Sequence, residues 1–273
     1  MALALTGSAS GTSVYRPGRL AAYVSRRAWD VVRATPATSA LVGALVATSA
    51  LLSAGAVDAD WLERWASTNI VNLHHHPFSA MIASAFVLTG PSVVNVGFTA
   101  YVCGVLERRV GSVRMLAVGL AGQVIASLLT EGAVRFAIRT GNESWSSAWR
   151  FDVGISYVMF TVAAAATLLA PVRLRRVLLF VGVAVTAGQL AAYHDMTSSG
   201  HAMSYVIGLL CWPLLSRDVA QLRVRRRALQ ALTALTIVGL LAIYLPLPPN
   251  SSHHRVRAAS SAQVVSHLPS GAG

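Results

Sequence analysis

Long apolar runs separated by short arginine clusters restrict this chain to a lipid environment. The segments at about 38–57, 88–106, 113–131, 153–171, 176–193, 201–216 and 229–248 are each apolar over lengths close to one membrane crossing. A run of ~20 apolar residues spans a hydrocarbon core of ~30 Å as a helix. Within lipid a lone segment must satisfy its own backbone polar groups, so each run is expected to be helical. Charged residues supply only 12% of the chain and hydrophobic residues 55%, against roughly 25% charged in soluble domains. The expected fold class is therefore all-α, a polytopic membrane helix bundle.

The second span needs a boundary. From Pro77 to Leu106 the sequence is only weakly polar, and as one helix it would be about 45 Å long. Gly90-Pro91 breaks it, so 77–88 reads as an interfacial or re-entrant piece on the outer side.

The net charge of +12 raises the question of a nucleic-acid partner. All 22 basic residues are arginines, however, and they follow the helix ends instead of forming a basic domain with interleaved aromatics. That excludes nucleic acid and leaves the bilayer as the partner. Sixteen arginines fall in one set of alternate loops (Arg16 to Arg33, Arg108 to Arg114, Arg173 to Arg176, Arg217 to Arg227), and six fall in the other. The positive-inside rule then places the N-terminus in the cytoplasm of a plasma-membrane protein. Residues 1–36 are expected to be a cytoplasmic segment and 249–273 a disordered exocytoplasmic tail rich in Ser, Pro and Ala. Met1–Leu5 is too short for a signal-peptide core and lacks a preceding positive charge, so no cleavage is expected. Cys103 and Cys211 lie inside apolar runs and read as small core residues.

In this topology spans two, four and six enter from outside, so residues near their starts share one depth. Polar side chains there are costly and indicate function. Span two carries Asn95, span four opens Asp152-Val-Gly154-Ile-Ser156-Tyr157, and span six opens Gly200-His201-Ala-Met-Ser204. Ser156 and His201 suit a nucleophile and its base. Asn95 suits either an oxyanion donor or a helix–helix hydrogen bond. Gly154, Ser204 and Gly208 are small enough to let spans four and six approach closely. Asp152 reads as the N-cap of span four.

These residues resemble the rhomboids, a family of intramembrane serine proteases. Asn95 precedes Glu107 by twelve residues, Glu107 and Gly111 match E-x-x-x-G, Gly154-Ile-Ser156 matches the start of G-x-S-G, and His201 matches the helix-six His. The resemblance covers spans one to six. It implies a six-helix core over 37–217 with a seventh helix at 228–248. It also implies a Ser156–His201 dyad, with Phe160 against the His ring and Glu107 and Gly111 structural. The implied activity is cleavage of transmembrane segments of other membrane proteins, without a cofactor. The chain departs from the pattern at Tyr157, which replaces the last Gly, and at Pro91, which replaces the His of H-x-x-x-N. A catalytically silent relative that binds transmembrane clients is the alternative.

His74-His75-His76 does not form a metal motif, because three consecutive His do not share one face of a helix or strand. Trp61, Trp65, Trp145 and Trp149 read as interfacial anchors. A transporter would favour internal repeats, and none is present.

Overall fold

The computed structural model describes residues 17–88, 92–215 and 222–244. Among them the chain is all-α, and each of the seven apolar runs holds one helix. In chain order the helices are α1 (Pro17–Ala34), α2 (Pro36–Ser53), α3 (Ala59–Ala66), α4 (Ile70–His75), α5 (Pro77–Ser84), α6 (Ser92–Val110), α7 (Ser112–Thr140), α8 (Ser156–Leu168), α9 (Val172–Tyr193), α10 (Met196–Leu215) and α11 (Leu222–Tyr244). A short 3-10 helix, Trp145–Trp149, lies between α7 and α8. Pro91 and the tail at 249–273 fall outside the described residues.

Four helices, α2, α7, α9 and α11, are long and apolar enough to cross a membrane on those criteria alone. The other three expected spans fall short for identifiable reasons. α6 carries Asn95 and Glu107-Arg108-Arg109, and α10 carries Thr197, Ser198, Ser199 and His201. α8 has only 13 residues, about 20 Å of helix. It is nevertheless the centre of the bundle, packing against α6, α7 and α10 and contributing Tyr157, Val158, Met159, Val162 and Ala165 to the main core. By contrast α9 lies outside, with Thr186 its one buried residue.

Small residues set the close contacts. A Cβ on Gly208 of α10 would sit 2.2 Å from the backbone oxygen of Thr161, so α8 and α10 meet backbone to backbone there. Thr161 donates its hydroxyl to the Ser204 carbonyl at 3.0 Å across the same seam. On α7, Gly122 leaves room for the Thr161 side chain and Gly132 for Ala242 of α11.

The structure moves several boundaries. α10 begins five residues before His201, because Asp195 caps it: the Ser198 N–H donates to Oδ1 at 2.8 Å, and the Ser198 and Ser199 hydroxyls donate to the Asp195 carbonyl. The cap holds the polar run 197–200 in a helix that hydropathy does not indicate. α11 likewise begins at Leu222, ahead of the apolar run. Within the segment read as an N-terminal extension, 17–34 is helical. Asp152 is not the cap of α8, whose N-cap position is Ile155.

Candidate active site

The site is a cavity of about 290 Å³ at the start of α8, lined by Asn95, Asp152, Gly154, Ser156, Met159 and His201 among others. One helix supplies each candidate polar group: α6 brings Asn95, α8 brings Ser156 and α10 brings His201.

The segment entering α8 is tied down at both ends. The Thr68 N–H donates to the Asp152 carbonyl at 2.9 Å, the Asp152 N–H to Ser67 Oγ at 2.8 Å, and the Thr68 hydroxyl to Asp152 Oδ2 at 2.9 Å. The Gly154 N–H donates to the Ser84 carbonyl at 2.7 Å, and Gln123 of α7 donates to Ser84 Oγ at 3.0 Å. Gly154 has φ +131, a conformation essentially confined to glycine. That backbone turn delivers Ser156 as the first residue of its helix. Asp152 serves as an acceptor for the loop; burial pushes its carboxyl above the usual carboxylate range, opposed in part by the Thr68 hydroxyl that donates to it.

His201 is held on several sides. Phe160, one turn beyond Ser156, stacks on its ring at 4.4 Å between centroids and 18° between planes. Tyr157 approaches edge-on, with centroids 6.0 Å apart. Nδ1 lies 3.0 Å from Oε1 of Gln189 on α9. Nε2 is buried and has no hydrogen-bond partner among the described residues. With Nδ1 on Gln189 and Nε2 unpartnered, no hydrogen bond joins His201 to Ser156. In apo sites such bonds are often long and tighten only on substrate binding.

A family model described as rhomboid-like protein matches residues 30–221. The chain belongs to the rhomboid-like protein family. No curated protein matches it. The family assignment and the four apolar helices make it a multi-pass membrane protein. In this rhomboid-like chain the E-x-x-x-G element is a clamp. Glu107 is buried and its carboxylate accepts four hydrogen bonds: from the Ala37 N–H at 2.9 Å, the Thr38 N–H at 2.8 Å, the Thr38 hydroxyl at 2.6 Å and the Ser112 hydroxyl at 2.6 Å. One side chain thus satisfies orphan donors at the start of α2 and joins α2, α6 and α7. Gly111, at φ +89, makes the turn between α6 and α7.

The departure at Tyr157 has a matching space. A Cβ on Gly200 would lie 2.3 Å from the Tyr157 hydroxyl, so the glycine before His201 accommodates the larger residue. Ser204 is fully buried, beside Thr161 and not in the cavity. Gly208 lies deeper still, at the backbone contact with Thr161.

Sequence reasoning missed Gln189. Its signal was present: a lone amide far along an apolar span must find a partner, because an unsatisfied polar group in lipid is costly. It also missed the polar residues Gln123, Ser127, Thr130 and Glu131, all buried along α7. The histidine triplet is dispersed: His74 meets the ring of Tyr244 edge-on, while His76 stacks on Trp65. Among the described residues no group of three His, Cys, Asp or Glu is placed to hold a metal ion.

Proposed function

We propose that this rhomboid-like protein is an intramembrane serine endopeptidase that cleaves transmembrane segments of other membrane proteins. The observation that carries the reading is the cavity that Ser156 and His201 share, together with the buried Nε2 of His201, which has no hydrogen-bond partner among the described residues. A buried ring nitrogen without a partner has the capacity to accept a proton. Ser156 Oγ attacks the peptide carbonyl while His201 Nε2 takes the hydroxyl proton. His201 then gives that proton to the leaving amine, and water hydrolyses the acyl-enzyme ester with the same residue as base. Asn95 and the Ser156 N–H hold the oxyanion. The residue four positions before Asn95 is Pro91, which has no donor to add, so turnover is slow.

The arginine distribution supports a cytoplasmic N-terminus in the plasma membrane, with the cavity open to the outer side. Water reaches the ester from there, and a helical substrate must unwind locally, which favours segments with Gly or Ala near the outer face.

A second reading, a silent relative that binds transmembrane clients, is favoured by the missing Ser156–His201 hydrogen bond. An active-site serine probe on membranes separates the two. Labelling of the native protein that is lost in both Ser156→Ala and His201→Ala, at unchanged expression, supports the protease. A native protein that neither labels nor cleaves any of a broad panel of single-span substrates supports the silent relative.

A further inference from the structure

We infer that Gln189 is a positioning residue for His201, fixing the ring tautomer so that the nitrogen facing the Ser156 cavity carries a lone pair. The inference rests on the protease reading above. His201 and Thr197 line two cavities. One is lined also by Ser156 and Asn95; the other, of about 210 Å³, is lined also by Gln189, Tyr193, Asp195 and Ser198. The Gln189 amide oxygen lies 3.0 Å from Nδ1 on the second side. The two nitrogens of an imidazole point away from one another, which leaves Nε2 for the first.

With the amide oxygen as acceptor, Nδ1 carries the proton and Nε2 is a bare acceptor. The reverse amide orientation would put the proton on Nε2, and a buried N–H without an acceptor is the rarer arrangement. A histidine whose tautomer is set by a hydrogen bond from its far nitrogen is the usual way such a ring is prepared for chemistry.

The contact is built into the packing of α9 on α10. Gly182, Thr186 and Gln189 share one face of α9 by their i, i+4, i+7 spacing. A Cβ on Gly182 would lie 2.3 Å from the Tyr205 hydroxyl, and that hydroxyl reaches the Leu179 carbonyl at 3.5 Å. Thr186 is buried between them in sequence. Tyr205 lies one turn after His201, so the close approach that Gly182 permits also brings Gln189 to the ring.

Replacement of Gln189 by Glu distinguishes orientation from mere packing. The groups around His201 are Asp195 at the start of α10, Tyr157 on α8, Asp152 before it, Tyr193 on α9 and Asn95 on α6. A carboxylate at 189 still accepts from Nδ1–H and adds a negative charge that favours the imidazolium. The base must be neutral to act, so the acid limb of the labelling-rate profile moves to higher pH, by about one to three units. Gln189→Leu removes the acceptor and lowers the labelling rate by about 10–100-fold, as loss of an orienting partner commonly does.

The test combines serine-probe labelling over a pH series with NMR of histidine-labelled protein in detergent, using His201→Gln to assign the ring signals. We expect the Nδ1–H tautomer in the native protein, its loss in Gln189→Leu, and the shifted acid limb in Gln189→Glu. The inference is overturned if Gln189→Leu labels at the native rate with the native profile. It is equally overturned if the His201 tautomer is the same with and without Gln189. The NMR arm needs no catalysis and Gln189→Glu keeps the hydrogen bond, so a poorly folding Gln189→Leu still leaves a decisive result. A native protein that does not label removes the protease reading, while the tautomer measurement separately decides the role of Gln189.

Discussion

Glu107 is the residue whose replacement has the most predictable consequence. Its carboxylate is buried and accepts four hydrogen bonds, two from backbone N–H groups at the start of α2 and two from the hydroxyls of Thr38 and Ser112. In Glu107→Ala the two hydroxyls can rotate toward other acceptors, but the Ala37 and Thr38 N–H groups cannot. Each buried donor left unsatisfied costs about 1–3 kcal/mol, and loss of a helix cap alone typically costs about 1 kcal/mol. These contributions overlap, so the expected total is about 3–5 kcal/mol. Glu107→Gln is the sharper variant. It keeps the shape, but all four partners are donors, and an amide nitrogen facing two of them accepts nothing. We therefore expect Gln to recover less than half of the loss. Thermal unfolding in detergent is the assay. At roughly 2–4 °C per kcal/mol for a chain of this size, Glu107→Ala should melt about 10 °C below the native protein. Below both midpoints, serine-probe labelling should persist, because Glu107 lies at the opposite end of α6 from Asn95. A Gln variant melting with the native protein would refute the four-acceptor argument. A stable variant that no longer labels would refute the purely structural role.

Gly208→Ala should destabilise the bundle by about 1–3 kcal/mol, since its methyl group meets the Thr161 backbone; Gly97→Ala, with open space around it, should be neutral or slightly stabilising in the same melts. Asp152→Asn keeps an acceptor for Thr68 and removes a charge that burial disfavours. Because the native carboxyl is pushed up, its contribution to stability is present below the usual carboxylate range and is lost as pH rises through the folded value. The Asn variant should therefore gain on the native protein as pH rises, and parallel melting curves at all pH values would contradict this. Cysteine labelling at positions 10 and 265 should report opposite sides of the membrane; reaction from the same side would refute the seven-crossing topology.

The sequence by itself determined the helical class, because apolar runs in lipid have no alternative to helix and arginine marks where they end. It also singled out Asn95, Ser156 and His201, since the polarity of each is costly in an apolar span, and the three line one cavity; its E-x-x-x-G motif pointed to Glu107, which accepts four hydrogen bonds. Tertiary structure decided what depends on neighbours distant in sequence. Asp195 starts α10 earlier than hydropathy suggests, because a cap outweighs the polarity of the four residues that follow it. Asp152 caps nothing and instead ties the loop to Thr68, a partner 84 residues away. The space for Tyr157 comes from Gly200, and the acceptor for His201 from Gln189. Each of these pairings joins separate segments of the chain, and only the packing of the helices places their members within reach.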